Sequence, residues 1–202
     1  MHSKNLSCSI KEDVPELFFT PDLMGYGWGF RKGDYLNIGL GREDKSKLSS
    51  HVKEFCDYLT EQGKIPSDIT AKYNGHAYLL YNHAVRDMIA DNVLLIGDAV
   101  GLAYPQSGEG IRPAIESTLM AAEIISNCND NYSTATLQRY NKKVQERFGE
   151  RQPEPDMMER LSVFVKRIFA SQLMKTRWFT KNIVTDKWFL QLRQSPMRAV
   201  NE

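Results

Sequence analysis

Hydrophobic and polar positions along this chain follow two periods, one typical of strands and one typical of helices. Residues 14–20 and 25–41 predict strands. In the second range the pattern alternates with a period of two, and the turn Lys32-Gly33-Asp34 predicts a hairpin. Residues 68–81 predict a further strand region. The helical period covers three ranges: 46–62, 110–127 and about 134–149. This mixture of periods predicts an α/β or α+β fold.

The most informative run covers residues 93–113 and reads VLLIGDAVGLAYPQSGEGIRP. Val93 to Ile96 is a short apolar run that predicts an interior strand, and Asp98 stands just past its end. Gly97 and Gly101 leave the turn free of side chains. A bulky cofactor can therefore approach the backbone while the Asp98 carboxylate accepts hydrogen bonds from sugar or ribityl hydroxyls.

A helix start follows at Gly108 and Gly110, and Pro113 needs no backbone donor there. The N-terminus of this helix has free N–H groups and a positive dipole end, which suit an electron-rich carbonyl or an anion. Glu109 either carries the helix-start charge, which we favour, or contacts a bound ring or substrate. Arg112 reaches either a substrate anion or a surface acid. One apolar helical face is formed by Ile111, Ile115, Leu119, Ala122 and Ile125.

In its glycine, acid and proline positions this run resembles the flavin-binding segment of the p-hydroxybenzoate hydroxylase-like flavoproteins, most closely their geranylgeranyl reductase branch. The resemblance implies FAD as cofactor, a ribityl contact at Asp98 and an isoalloxazine ring facing the backbone of Gly110 and Ile111. An ordinary strand-loop-helix connection is the alternative. The implied cofactor-binding residues are Gly97, Asp98, Gly101, Pro105, Gly108, Glu109, Gly110 and Ile111.

A second segment, residues 26–41, resembles an aromatic stretch that lines the substrate cavity of geranylgeranyl reductases. Period-two spacing places Tyr26, Trp28 and Phe30 on one face, where they would form a wall over the flavin or along a prenyl chain. Arg31 stands where the family has proline, which bears on the substrate more than on the cofactor. The alternative for each ring is packing in the core of a sheet.

Flavoproteins of this kind hold the ADP half of FAD with a strand-turn-helix that carries Gly-x-Gly-x-x-Gly. That pattern is missing here, since Gly25-x-Gly27 and Gly108-x-Gly110 both lack the third glycine. The resemblance covers roughly residues 14–150 and implies the C-terminal part of a glutathione reductase-like FAD-binding fold. The chain is therefore expected to be a fragment, a truncated product or one half of a split protein.

Composition places the chain among soluble globular proteins, with 42% hydrophobic and 25% charged residues and no long apolar run or secretory leader. We expect a cytoplasmic location. Cys8, Cys56 and Cys128 are widely spaced, so neither a metal site nor a disulfide framework is expected. The scattered histidines suggest no hydrolase, and no catalytic residue is assigned.

The segment from residue 151 to 202 is basic and aromatic, with net charge +5 against −4 for residues 1–150. It packs as a helical pair with a solvated basic face, which we favour, or it lies on an anionic membrane surface or caps a lipid-sized cavity. Nucleic-acid binding is the weakest alternative. The expected domains are 1–85 with the substrate sheet, 86–150 with the flavin-contacting segment and 151–202 with the helical tail.

The resemblance implies an FAD-dependent oxidoreductase that passes hydride to a double bond of a prenyl lipid. The alternatives are a monooxygenase-like hydroxylase and a non-catalytic remnant or subunit that cannot hold FAD alone. The implied partners are a small-molecule or lipid substrate and a complementary N-terminal half.

Overall fold

The structure, a computed structural model, consists of two compact units with their boundary after residue 75. The units are Met1–Gly75 and His76–Glu202, called here the N-terminal and the C-terminal unit. Both mix strands and helices, which confirms the predicted α/β fold class. The domain boundaries proposed at 85 and 150 stay predictions. The described residues are 8–44, 47–67, 73–84, 86–151, 163–194 and 197.

The N-terminal unit is an antiparallel sheet with one helix packed on it. The strands β1 (Glu16–Phe19), β2 (Gly25–Lys32) and β3 (Tyr35–Arg42) lie in sequence order, and α1 spans Leu48–Glu61. The predicted hairpin and helix are confirmed, with ends within one or two residues of those expected.

Strand register divides this sheet into two unlike faces. One face carries Leu36, Ile38 and Leu40, which are buried with Val52, Phe55 and Leu59 of α1. A Cβ at Gly27 would lie 2.4 Å from the Phe55 ring, so glycine on β2 lets the helix approach the strand closely. The core therefore sits on the side of the sheet opposite to the tyrosine, tryptophan and phenylalanine of β2.

The C-terminal unit begins with short elements and continues as helices. The long helices are α2 (Ile111–Ser126) and α3 (Thr134–Phe148), both confirmed from the sequence. Before them lie the 3-10 turn Tyr81–His83, β4 (Ile89–Ala90), β5 (Val93–Leu94) and the 3-10 turn Gly97–Val100. After them lie α4 (Val163–Met174), α5 (Arg177–Phe179) and a π-helical segment, Thr180–Phe189. The predicted break at 151–156 falls, from residue 152 onward, outside the described residues.

Two strand predictions are wrong where the structure describes them. Of the predicted strand region 68–81, residues 68–72 lie outside the described residues, residues 73–79 have no regular secondary structure, and Leu80 makes only a single bridge to Ala103. The predicted interior strand Val93–Ile96 is a two-residue arm paired with β4, and Val93 and Ile96 are exposed. A short apolar run does not specify its own partners, and the described strand beside this one is equally short.

The apolar face predicted for α2 is not the face that the helix buries. Ile111 is 76% exposed, and Ile115 and Ile125 are also exposed. The buried positions are Pro113, Glu116, Ser117, Ala121 and Ile124. By contrast α3 buries Leu137, Tyr140 and Val144, which contribute to the core of this unit.

Candidate functional site

The turn that carries Asp98 requires glycine at both ends. Gly97 has φ 54° and Gly101 has φ 70°, in the left-handed region that favours glycine. A Cβ at Gly101 would lie 2.5 Å from the Cβ of Ala84, and one at Gly97 would lie 3.0 Å from the Cβ of Ala114. These glycines therefore serve the packing of the turn on its own unit, in addition to any role in admitting a cofactor.

Side chains from distant positions hold the backbone of this turn. Ser117 Oγ accepts a hydrogen bond from the N–H of Gly97 (3.1 Å). Arg86 Nη1 donates to the carbonyl of Ala99 (2.9 Å), and Arg151 Nη2 donates to that of Val100 (2.6 Å). Because its backbone is held from several sides, the turn carries Asp98 at a defined backbone position, which lowers the ordering cost of binding.

Arg151 makes several contacts beyond the one to Val100. Its guanidinium also donates to the carbonyls of Ala84 (3.0 Å) and Arg86 (2.7 Å) and lies 5.1 Å from the centre of the Tyr81 ring. Burial lowers the pKa of Arg151, but an arginine stays charged at any pH of interest. No sequence pattern indicates this role, since Arg151 stands 51 residues after Val100.

The Asp98 side chain is directed toward the start of α2. It remains 47% exposed, and a Cβ at Gly110 would lie 2.8 Å from Asp98 Oδ1. The two residues that the sequence predicts to meet the ribityl chain and the flavin ring are therefore brought together. Glycine at 110 leaves room for the carboxylate beside the bare helix backbone.

Glu109 acts as a helix-start residue. Its Oε1 accepts a hydrogen bond from the backbone N–H of Arg112 (3.0 Å), so one of the free N–H groups of the first turn is occupied. Its negative charge also offsets part of the positive helix end. The Gly108 carbonyl accepts a hydrogen bond from the Tyr78 hydroxyl (2.8 Å), which fixes the approach to the helix.

A buried carboxylate stands behind the helix start. Glu116 Oε1 accepts from Arg112 Nε (2.8 Å), and Glu116 Oε2 lies 2.8 Å from Arg147 Nη2 of α3. Arg147 also donates to the Tyr104 hydroxyl (3.2 Å), and burial raises the pKa of that phenol. Of the two roles open for Arg112, the structure shows the acid partner, although that acid is buried in the helix and not on the surface.

His76 is a neighbour of Asp98 that the sequence reasoning missed. Its Nε2 lies 3.5 Å from Asp98 Oδ2, and its ring centre lies 5.5 Å from that of Tyr78. Both ring residues lie in the stretch predicted as strand, where a tyrosine reads as sheet packing. A histidine 22 positions before the acid carries no periodic signal, so only the fold shows this proximity.

The aromatic wall of the N-terminal unit consists of Tyr26, Trp28 and Phe30 on the sheet face opposite to α1. All are half-buried, and the centres of the Tyr26 and Trp28 rings lie 6.0 Å apart. These rings therefore lie outside the core that the sheet forms with α1, and the interpretation as a wall stays a prediction. Arg31 lies on the other face, as its position in the alternation requires.

Trp28 is held in this wall by two residues of β3. Its Nε1 donates to Asn37 Oδ1 (2.9 Å). A Cβ at Gly39, the cross-strand partner of Trp28, would lie 2.1 Å from the indole ring. The indole therefore lies across a bare stretch of strand, and the wall has a fixed shape.

The sequence is similar to archaeal reductases of isoprenoid lipids. A digeranylgeranylglycerophospholipid reductase of Methanocaldococcus jannaschii is 30% identical over 149 residues, 70% of this chain and 37% of that protein. Digeranylgeranylglycerophospholipid reductase 3 of Methanosphaera stadtmanae is 30% identical over 130 residues, 63% of this chain and 32% of that protein. This chain thus spans about a third of the length of these curated relatives. No protein-family model matches it.

The fold agrees with that of a solved relative. A geranylgeranyl bacteriochlorophyll reductase-like protein of Thermoplasma acidophilum superposes with a TM-score of 0.62 at 18% identity, over 94% of this chain and 53% of that one. Similar sequence and similar fold lead to the same group of proteins: this chain belongs to the superfamily of geranylgeranyl reductase-like flavoproteins.

Proposed function

We propose that this chain takes part in the FAD-dependent reduction of carbon–carbon double bonds in the prenyl chain of an isoprenoid lipid. The position of Asp98 carries the proposal. Its turn is fixed from behind by Ser117, Arg86 and Arg151, while its carboxylate stays half-exposed against the bare backbone of Gly110. Such a fixed acceptor suits a ligand that carries several hydroxyl groups.

The residues present fit the flavin half of FAD. The ribityl chain offers hydroxyl donors to the Asp98 carboxylate, which lies close to where a Cβ at Gly110 would stand, directly beside the helix start. FAD, when bound there, supplies the hydride for the reduction. Asp98 would hold the ribityl chain, and the first turn of α2 would stabilise negative charge on the ring.

The aromatic wall supplies the apolar surface that a prenyl chain requires. Tyr26, Trp28 and Phe30 offer flat faces on which an unsaturated hydrocarbon packs well. With Trp28 fixed by Asn37, the wall would orient the chain and exclude water from it. The relatives described above are named for the reduction of geranylgeranyl lipids, which supports this substrate class for the proposal.

The proposal needs a phosphate-binding element from outside this sequence, in the same polypeptide or in a separate one. No Gly-x-Gly-x-x-Gly pattern occurs in the chain. The exposed apolar residues of β5 and α2, Val93, Ile111 and Ile115 among them, offer a surface for such a complementary half. By itself the chain is expected to bind FAD weakly.

A chimera tests the proposal directly. This chain would replace the matched 149-residue region of the Methanocaldococcus jannaschii reductase, and flavin content would be measured from the absorption spectrum. Asp98→Ala should weaken FAD affinity by about 1.5–3 kcal/mol, the scale of hydrogen bonds to a charged group. Asp130→Ala, an exposed acid of the same unit, is the matched control. Equal affinity for both variants would remove Asp98 from the site.

Product analysis of the same chimera separates the reactions. A reductase adds two hydrogen atoms per double bond of a geranylgeranyl lipid, whereas a hydroxylase adds an oxygen atom and a non-catalytic subunit changes nothing. Trp28→Ala should lower lipid turnover and leave flavin content intact, with Tyr58→Ala, an exposed ring of α1, as control. Loss of flavin on Trp28→Ala would place the residue at the cofactor instead.

A further inference from the structure

We propose that the tail from Val163 to Gln194 docks the protein onto an anionic lipid bilayer. This inference goes beyond the proposed reduction and does not depend on it. The sequence of the segment contains seven lysine and arginine residues and one acid, Asp186. Lys175, Arg177, Lys181, Lys187 and Arg193 are all exposed.

Large apolar side chains are exposed between these cations. Phe169 is 65% and Trp178 is 67% exposed. The others are Ile168, Leu173, Leu190 and Leu192. Scattered apolar residues are ordinary on protein surfaces, but a run of them in successive elements of one segment marks an interaction surface.

This exposure occurs in a segment that is anchored to its own unit. Val184 is buried, the Phe179 and Trp188 rings meet edge to face at 5.8 Å, and Gln194 Nε2 donates to the Tyr104 hydroxyl (3.0 Å). The large apolar side chains of the tail are therefore exposed even though other residues of the tail are buried or bonded within the C-terminal unit.

The pairing of side chains indicates a bilayer. Lysine and arginine extend toward lipid phosphates while leucine, isoleucine and tryptophan enter the boundary of the acyl region. Single-stranded nucleic acid would bind the cations through its phosphates and the aromatic rings through base stacking. It offers no apolar surface for the exposed Leu190, Leu192 and Ile168. The excess of positive charge complements an anionic surface specifically.

The tail would lie on the membrane and not cross it. Among the described residues, no helix has both the length and the apolar character that a bilayer crossing demands. Helix α4 has 12 residues, against the roughly 20 that span the hydrocarbon core. A surface contact of this kind weakens as salt screens it.

Vesicle sedimentation with the full chain tests the proposal. Vesicles of phosphatidylcholine with phosphatidylglycerol should pull down the protein, vesicles of phosphatidylcholine alone should not, and added sodium chloride should release it. Tryptophan emission should shift to shorter wavelength on binding, and Trp178→Phe should remove most of that shift. Flavin is absent from this assay, so failure here leaves the proposed reduction intact.

The charge-reversal triple Lys175→Glu, Arg177→Glu and Lys181→Glu should reduce binding at least tenfold. The matched control is Lys53→Glu, Arg139→Glu and Lys142→Glu, which makes the same charge change at exposed positions of α1 and α3. Phe169→Ser with Leu173→Ser should also reduce binding, and circular dichroism verifies that each variant is folded.

Four results would overturn the proposal. The first is equal binding to both vesicle types. The second is an equal loss of binding in the tail triple and the control triple. The third is tighter binding of polyuridylate than of the anionic vesicles. The fourth is a dimer by light scattering that does not bind the vesicles.

Discussion

Helices α2 and α3 are nearly equal in length and pack on each other, yet they use their apolar residues in opposite ways. In α3 the stripe Leu137, Tyr140 and Val144 faces the core. In α2 the stripe that includes Ile111 and Ile115 is exposed, and the helix buries the polar Glu116 and Ser117 beside the apolar Ala121 and Ile124. A buried polar residue is tolerated only with partners, and both have them. Thus both helices contribute to the core of the unit, and α2 also holds the candidate site.

The largest expected effect separates the two stripes. Leu137 is 2% exposed. Leu137→Ala should lower the free energy of unfolding by about 2–5 kcal/mol, because the substitution leaves a cavity in the core. Ile115→Ala, at a residue 44% exposed, should cost about 0.5 kcal/mol or less. Denaturant unfolding of the C-terminal unit measures both. Equal losses would mean that the α2 stripe is part of the core.

The buried carboxylate of α2 gives the next effect. Glu116→Gln removes the charge that Arg112 and Arg147 share and should cost about 2–3 kcal/mol, the scale of charged hydrogen bonds in a half-buried site. Glu123→Gln is the control, since Glu123 also pairs with a cation of α3, Lys143, but at the surface, where about 0.5 kcal/mol is expected. A similar loss in both variants would contradict the role given to Glu116.

A smaller effect concerns the link from α2 to the Asp98 turn. Ser117→Ala leaves the buried N–H of Gly97 without its acceptor and should cost about 1–2 kcal/mol. Thr118→Ala removes a neighbouring hydroxyl that bonds only within the helix in the described structure, and should cost less. Amide exchange at Gly97 should accelerate in the first variant alone. Unchanged exchange there would show that the turn does not depend on Ser117.

Sequence patterns were sufficient for the elements whose contacts are local. The hairpin 25–41 and the helices α1, α2 and α3 follow from period and turn residues, and the glycines around Asp98 predicted its turn and the helix start. The orientation of α2 was not accessible, because a periodicity argument assumes that polar residues face water. Paired residues such as Glu116 and Ser117 break that assumption.

The missed neighbours of the site depend on contacts far apart in the chain. Arg151 meets Val100 across 51 residues, and Ser117 meets Gly97 across 20. No local pattern records such contacts, since the fold alone creates them. The strand predicted at Val93–Ile96 failed for a related reason: a run of apolar residues specifies burial only when other strands are present to pair with it.

The smallest effect tests α3 through its own buried polar group. The Tyr140 hydroxyl donates to the carbonyl of Leu95 (2.9 Å), and burial raises the pKa of this phenol from 10.0 to about 12. A group whose folded pKa is raised contributes stability that is complete below its unfolded pKa and is lost as pH rises through the folded value. The C-terminal unit should therefore lose stability between about pH 10 and pH 12.

Tyr140→Phe should lower the free energy of unfolding by about 1 kcal/mol at neutral pH, the worth of one hydrogen bond, and should flatten the alkaline loss. Tyr132→Phe, at a tyrosine with a more exposed hydroxyl, is the control and should keep the parent's alkaline profile. Unfolding midpoints measured across this range check the expectation. If the full alkaline loss persists in Tyr140→Phe, its origin lies in another phenol of the unit, such as Tyr81 or Tyr104, whose pKa values burial also raises.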